Sequence, residues 1–353
     1  MKVLLEKIAY MSRCFGVDAH VKGGGGNASV KDDKTVWVKP SGCTMSSMEA
    51  DKFIALNREK LLRLDSISIN DEVGHREELA RDLVAEAVET GSTGRPSVEA
   101  PLHNLFSAAY VMHTHPPLVN GMTCAVDGKK VCTRLFPEAM WMDYVDPGIT
   151  LYHEVSKEFA QYKTEYGKEP QVIFLKNHGV FVAGDVPGQI HDLYKNIINT
   201  LSAEYKDAGI SLNLAGRQGR LMSQDVEVIK AELSSEESHT IIATALFDAA
   251  SQPLTPDHIV YMKAFAHTGE ISESSIAVFK AEKGYMPKVF VTNSAVYVTG
   301  TSPQNASLVL ELAQDGALVK QLTKAFGGPE YMTTRASDFI ENWEVESYRR
   351  EQL

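Results

Sequence analysis

The chain has 353 residues, 44% hydrophobic and 23% charged, a globular composition long enough for two domains. Its formal net charge of −11 argues against broad binding to nucleic acid or to an anionic membrane, both of which need a basic surface. A small anionic substrate stays open to it, because backbone N–H groups and one or two basic side chains can hold a phosphate locally.

In chain order, Val3, Leu4, Ile8 and Met11 predict a first helix, and Lys2, Glu6 and Lys7 interrupt its apolar run, so no signal peptide is expected. Helix gives way to loop at Gly23-Gly24-Gly25-Gly26, and Thr35–Val38 reads as a short strand stopped by Pro40-Ser41-Gly42. Ser46 followed by Glu49 is a capping-box pattern, which predicts a helix through Asn57. A longer helix is predicted over about 71–90, and Ser97 stands as N-cap of a segment ending near Ala109. Tyr110–His115 reads as a strand broken by Pro116-Pro117, and helical periodicity returns at about 150–165. Gln171–Lys176 and Val180–Ala183 read as strands flanking Asn177-His178-Gly179, with a helix from Pro187 to about Lys206. The stretch 208–224 has little periodicity and is the expected linker between domains at 1–210 and 225–353. Hairpin-like strand pairs mixed with helices predict an α/β fold with a largely antiparallel sheet and helices on its faces.

The second part echoes the first. Val172–Gly188 aligns without a gap on Lys288–Gln304, and Phe174, Asn177, Val180, Val182, Gly184 and Pro187 recur as Phe290, Asn293, Val296, Val298, Gly300 and Pro303. Two unrelated hairpins sharing turn chemistry would look similar, but an internal duplication with a drifted second copy is the favoured expectation. Ser294 stands where the first copy has His178, and no HxH occurs after residue 210, so only the first copy is expected to hold a metal.

His113-Thr114-His115 places two imidazoles on one face of a strand, because side chains at i and i+2 point the same way. His178 offers a third imidazole at a strand end. Neutral imidazoles suit zinc and its first-row neighbours, three protein ligands leaving a position open for catalysis. Glu99 precedes the HxH strand and can serve as fourth ligand, general base, or both in turn, although an acid at a helix start is favourable in any case. His103, four residues on, shares a helical face with Glu99 and is read as a packing histidine. His20, His75, His153, His191, His239, His258 and His267 show no partner pattern and are read as structural or surface residues. The glycine run lacks the strand-to-helix context of a dinucleotide fingerprint, which leaves an anion-binding nest or a flexible loop. Cys14, Cys43, Cys124 and Cys132 form no CxxC pair, and no stretch approaches the roughly 18–20 apolar residues of a membrane span. A cytoplasmic protein with reduced thiols and no membrane or nucleic-acid partner is expected.

GGGGNASV, KPSG, PSVEAPLH, HTHPP and KNHGVFVAG occur in the order seen in class II aldolase/adducin domains, which include zinc-dependent fuculose- and rhamnulose-phosphate aldolases; this resemblance covers roughly residues 1–207. The tail GGPEYM with DFIENWEVESYRR resembles the end of the aldolase part of bifunctional rhamnulose-phosphate aldolase/dehydrogenase proteins. The resemblance implies an αβα sandwich around a mostly antiparallel sheet, with a smaller, degenerate, related α/β domain following. It implies Zn2+ (Mn2+ or Co2+ as alternatives) on His113, His115 and His178, Glu99 as acid/base, and a phosphate against Asn27, Ser41, Gly42 and Ser97. Tyr144, in a segment resembling the surroundings of the family's proton-donating tyrosine, is the candidate for that role; a buried strand-end tyrosine is its ordinary alternative. One departure is Val98, where the sugar-phosphate aldolases carry a second serine before the glutamate. The implied activity is cleavage of a phosphorylated (deoxy)ketose to dihydroxyacetone phosphate and an aldehyde through a metal-stabilised enediolate, in a homo-oligomer. Decarboxylation, epimerisation or dehydration of a related sugar or sugar-acid phosphate, or a non-catalytic adducin-like assembly role, are the alternatives.

Overall fold

The computed structural model describes residues 1–216, 219–233 and 240–343. His239, two residues of the expected linker and the last part of the DFIENWEVESYRR tail lie outside the described residues. The chain divides into two compact units, one of 1–119 with 129–201, the other of 120–128 with the residues from 202 onward. A nine-residue piece of the earlier chain thus belongs with the later unit.

In order, the elements of the first part are α1 (Lys2–Phe15), β1 (Asn27–Lys31), β2 (Thr35–Val38), β3 (Ile54–Asn57), α2 (Arg58–Leu61), α3 (Val73–Ala87), α4 (Ala100–Leu105), β4 (Tyr110–Thr114), α5 (Pro117–Thr123), α6 (Gly128–Leu135), β5 (Met140–Met142), α7 (Ile149–Tyr166), β6 (Val172–Leu175), β7 (Gly179–Gly184) and α8 (Pro187–Asp207). The seven strands form one sheet in the order β3-β2-β1-β4-β7-β6-β5. Every pairing is antiparallel except β5 with β6.

Side-chain alternation divides the sheet into two faces. Val36, Val38, Val111, Ile173, Leu175, Phe181 and Ala183 point one way and share a core with Leu102, Phe106, Leu151, Val155 and Phe159 of α4 and α7. Opposite them, α1 lies on β1, Phe15 meets the Tyr194 ring of α8, and the Tyr194 hydroxyl is 2.7 Å from that of Thr114. Helices therefore cover both faces, the three-layer arrangement expected. Each buried Val, Leu, Ile or Phe contributes about 1.5–3 kcal/mol, which pins the register, because a one-residue slip would turn every inward side chain outward.

The helix expected from Ser46 through Asn57 does not form. Two short 3-10 turns, Met45–Ser47 and Ala50–Lys52, lead into β3, whose Ile54 and Leu56 are buried and which pairs with β2. The alternation of Ile54 and Leu56 is the signal that wins: an apolar pair with period two buries itself on a sheet, and a local cap cannot match that. The helix expected after Ser97 starts later, at Ala100, with Glu99 in the N-cap position.

The second part contains α9 (Ser223–Glu232), β8 (Thr240–Ala245), α10 (Pro256–Met262), β9 (His267–Thr268), α11 (Glu273–Lys283), β10 (Val289–Val291), β11 (Ala295–Gly300), α12 (Pro303–Thr323) and α13 (Thr334–Asn342). Its sheet runs β8-β11-β10-β9, antiparallel at the first two pairings and parallel at the last. This is the order and sense of β4-β7-β6-β5 in the larger sheet. α8 and α12, each of 21 residues, follow the matching hairpins. The hairpins differ in register: Phe174 faces Val180, whereas Phe290 faces Tyr297, one residue further along.

Candidate metal centre

β4 is buried along its whole length between β1 and β7. Alternation turns His113 toward the α4 face and Thr114 toward α8, and His115 follows at the strand's end. The His115 N–H donates to the His20 carbonyl at 2.9 Å, which fixes the backbone just past the strand. His178 comes from the β6–β7 turn. There Asn177 adopts a left-handed conformation with φ 53, which asparagine tolerates better than most residues. Gly179 is required by closeness: a Cβ there would lie 2.4 Å from the Thr114 carbonyl oxygen and 2.6 Å from His115 Cδ2. The NHG motif is thus a device for laying His178 against the HxH strand.

The ligand nitrogens of His113, His115 and His178 all lie within 4.8 Å of one another. His113 Nε2 is 2.9 Å from His115 Nε2, and His113 Nδ1 is 3.1 Å from the Val180 carbonyl oxygen. A carbonyl only accepts, so His113 carries its proton on Nδ1 and turns a bare Nε2 toward the cluster, the form a metal ligand needs. Burial holds the His113 imidazole well below its ordinary range despite the opposing pull of Glu99, so it is neutral.

Glu99 enters from the N-terminus of α4. Its Oε1 is 3.4 Å from His113 Nε2 and 3.6 Å from His178 Nε2. Burial disfavours its charge, and against that the Asn27 amide donates to Oε2. Oε1 is buried and makes no hydrogen bond. An orphaned carboxylate oxygen beside three converging imidazoles fits a divalent cation, and the nitrogen-rich donor set suits zinc or a first-row neighbour.

The remaining expected residues gather at the same end of the sheet to different degrees. The Ser97 N–H donates to the Lys39 carbonyl, the Ser41 N–H to the Arg95 carbonyl, and the Lys39 N–H to the Ala28 carbonyl, so the Ser41-Gly42 turn and the segment before Glu99 are laced to the start of β1. Ser97 Oγ accepts from the Glu99 N–H at 3.3 Å, which satisfies one amide ahead of α4. Tyr144 follows β5, whose last residue pairs with the last residue of β6, and so stands half-buried at the sheet's edge on the His178 end. Asn27 is committed elsewhere than to an open pocket: its Nδ2 donates to Glu99 Oε2 at 2.5 Å, and its Oδ1 accepts from His103 Nε2. Sequence reasoning misses the part that His103 and Ser29 play in this chain of hydrogen bonds, although two signals point to it: Asn27 and Ser29 alternate on a strand, and His103 lies four residues after Glu99.

In the second unit, pairing with β11 puts Ala243 where pairing with β7 puts His113, and Ala245 falls two residues on, at the place of His115. With Ser294 in place of His178, none of the three ligand types recurs there.

Residues 6–201 match the family described as the class II aldolase and adducin N-terminal domain. The uncharacterized oxidoreductase YuxG of Bacillus subtilis (strain 168) is 27% identical over 192 residues, 51% of this chain and 26% of that protein. The chain thus spans about a quarter of the length of this curated relative. Among solved structures, the N-terminal class II aldolase domain of a conserved Thermoplasma acidophilum protein is 24% identical with a TM-score of 0.48, over 56% of this chain and 92% of that one. L-fuculose-1-phosphate aldolase from Thermus thermophilus is 12% identical with a TM-score of 0.39, over 59% of this chain and 96% of that one. With more than half of its length matched, the chain belongs to the class II aldolase and adducin N-terminal domain family.

Proposed function

We propose that the protein is a metal-dependent lyase that cleaves a phosphorylated (deoxy)ketose to dihydroxyacetone phosphate and an aldehyde. The observation that carries this reading is the buried Oε1 of Glu99, which makes no hydrogen bond and lies within 3.6 Å of two imidazole nitrogens of a three-histidine cluster. A non-catalytic assembly domain has no need of such an arrangement, since an orphaned buried oxygen costs about 1–3 kcal/mol. His113, His115 and His178 would hold a divalent cation, zinc by donor type, with manganese or cobalt as alternatives. When bound it supplies positive charge against the ketose carbonyl oxygen as the carbon–carbon bond breaks.

The protein groups supply the rest. Glu99 Oε1 holds and returns the proton at the donor carbon, in a site dry enough for its charge to act at close range. Tyr144 is proposed to serve the oxygen on the aldehyde side. The Ser41-Gly42 turn, through groups other than the Ser41 N–H, and the Ser97 hydroxyl are proposed to meet the phosphate, which suits an acidic chain that binds an anion only locally. A homo-oligomer is proposed with them, and light scattering at the monomer mass would count against it.

Val98 favours a second reading, because a missing hydroxyl donor suits a substrate with a different anionic end: decarboxylation, epimerisation or dehydration of a related sugar or sugar-acid phosphate. Zinc-loaded protein incubated with L-fuculose 1-phosphate and L-rhamnulose 1-phosphate should release dihydroxyacetone phosphate. Carbon dioxide or an epimer from related phosphates, with no dihydroxyacetone phosphate, would move the assignment to the second reading. A preparation without stoichiometric metal and without turnover would return the chain to an assembly role.

A further inference from the structure

We propose that His103 is a positioning residue, locked by Ser29 as its Nε2–H tautomer, and that through Asn27 it holds Glu99 with one carboxylate oxygen turned toward the three histidines. The proposal deepens the reading of the site given above and rests on it for its kinetic consequence, but the chain of hydrogen bonds stands on its own geometry.

The polarity of that chain follows from donor and acceptor inventories. The Asn27 amide nitrogen faces Glu99 Oε2 at 2.5 Å and donates to it. This orients the whole carboxamide and points Oδ1 at His103 Nε2. Oδ1 can only accept, so the His103 proton lies on Nε2. A neutral imidazole with Nε2–H has a bare Nδ1, and Nδ1 lies 2.7 Å from Ser29 Oγ, whose O–H therefore donates to it. The imidazole is neutral because burial and the nearby Lys31 charge lower it to about 3, against the weaker opposing pull of Glu99. From Ser29 to His103 to Asn27 to Glu99, each donor has one acceptor and no member can reverse without stranding another. Ser29, Asn27, His103 and Glu99 are all at most 6% exposed, so water cannot easily substitute for a missing link.

Two consequences distinguish this from ordinary packing. Both ends of the Asn27 carboxamide are engaged within the protein, one N–H on Glu99 and the oxygen on His103, so the residue holds Glu99 whatever else its second N–H meets. Glu99 loses its freedom to rotate: Oε2 is held by Asn27, and Oε1 is left to face His113 and His178. A base held in one rotamer needs no reorientation at the moment of proton transfer.

The test begins on the intact protein with 15N-labelled histidine, read by long-range 1H–15N correlation at neutral pH. The expected His103 pattern has the proton on Nε2 and a bare Nδ1. A proton on Nδ1, or on both nitrogens, overturns the proposal. The second arm compares His103→Gln, which keeps a donor near the Nε2 position, with His103→Leu, which removes it, and Ser29→Ala guards against a folding failure in the leucine variant. Losses of about 10–100-fold are typical when a group supporting a metal-site residue is removed. His103→Leu should therefore lose kcat on L-fuculose 1-phosphate or L-rhamnulose 1-phosphate by about that factor, with KM and zinc stoichiometry unchanged, and His103→Gln should recover most of it. Ser29→Ala should fold and show mixed tautomers. Equal losses in the glutamine and leucine variants, or a loss carried by KM or by missing zinc, would overturn the positioning role. If the wild-type protein turns over neither sugar phosphate, the lyase reading falls, while the tautomer and the Ser29→Ala spectrum still decide the chain.

Discussion

Glu99 faces a problem that its neighbours solve in two parts. Burial at 6% exposure drives a carboxyl toward its neutral form, whereas the Asn27 amide donating to one oxygen, and a cation held by the three histidines beside the other, would both favour its charge. Replacing it with glutamine removes the base and leaves the ligand nitrogens in place. Glu99→Gln should therefore retain metal by elemental analysis while turnover falls by about 10²–10⁴-fold, the range for a positioned general base. Equal loss of metal and turnover would instead make Glu99 a fourth ligand. Each histidine carries the opposite expectation. His178→Ala leaves two imidazoles, and its metal affinity should fall by more than about a hundredfold, beyond what the loss of an outer partner produces. Equilibrium dialysis against zinc would reveal it; unchanged affinity would remove His178 from the ligand set.

At the scale of elements, the centre is made by a strand end meeting a turn. Gly179 permits the approach, and the contacts at 2.4 and 2.6 Å that a Cβ would make are with backbone and a ring atom, neither of which yields cheaply. Gly179→Ala should cost about 1–3 kcal/mol by overpacking and lower the melting temperature by several degrees, with weaker zinc binding. An alanine variant that melts with the wild type would show that the turn has room to shift. The motif is legible in the sequence because both signals are local: HxH on a strand forces two imidazoles to one side, and NHG between two apolar runs marks a turn. Ile54–Asn57 misleads for a related reason. Ser46 and Glu49 make a local cap pattern, but Ile54 and Leu56 gain more by joining β2 than a helix could offer them, and that partner is distant in sequence. His103 is hidden in the same way, since its role depends on Asn27 and Ser29, 76 and 74 residues away. Sequence periodicity shows which face a residue takes, but not who waits on that face.

Across the whole molecule, the second unit repeats the strand order β4-β7-β6-β5 with alanine and serine at the ligand positions, so one centre per chain is expected. Elemental analysis should give one metal per chain, and a value near two would contradict it. The first unit also holds two titratable groups outside the ligand set whose effects on stability run in opposite directions. Burial raises the Glu77 carboxyl to about 7, opposed by the Ile149 N–H and Arg76 and aided by Asp146. Unfolded, the carboxyl titrates near about 4.3, so between these values the folded chain binds the extra proton and stability falls as pH rises. Burial and Arg58 lower the Lys31 ammonium to about 7 against the weaker pull of Glu169 and Asp185, while the unfolded value is about 10.4. There the unfolded chain binds the extra proton, and stability rises as pH climbs from about 7 toward about 10. Each limb has a slope of at most about 1.4 kcal/mol per pH unit, and the two meet near neutrality. Glu77→Gln should therefore gain most over the wild type at about pH 7 and little at about pH 4.5, whereas the advantage of Lys31→Met at about pH 7 should shrink toward about pH 10. Urea melts at fixed zinc concentration across this range would resolve both. Advantages that do not change with pH would mean that neither group changes its protonation on folding, and that water reaches both side chains in the native state.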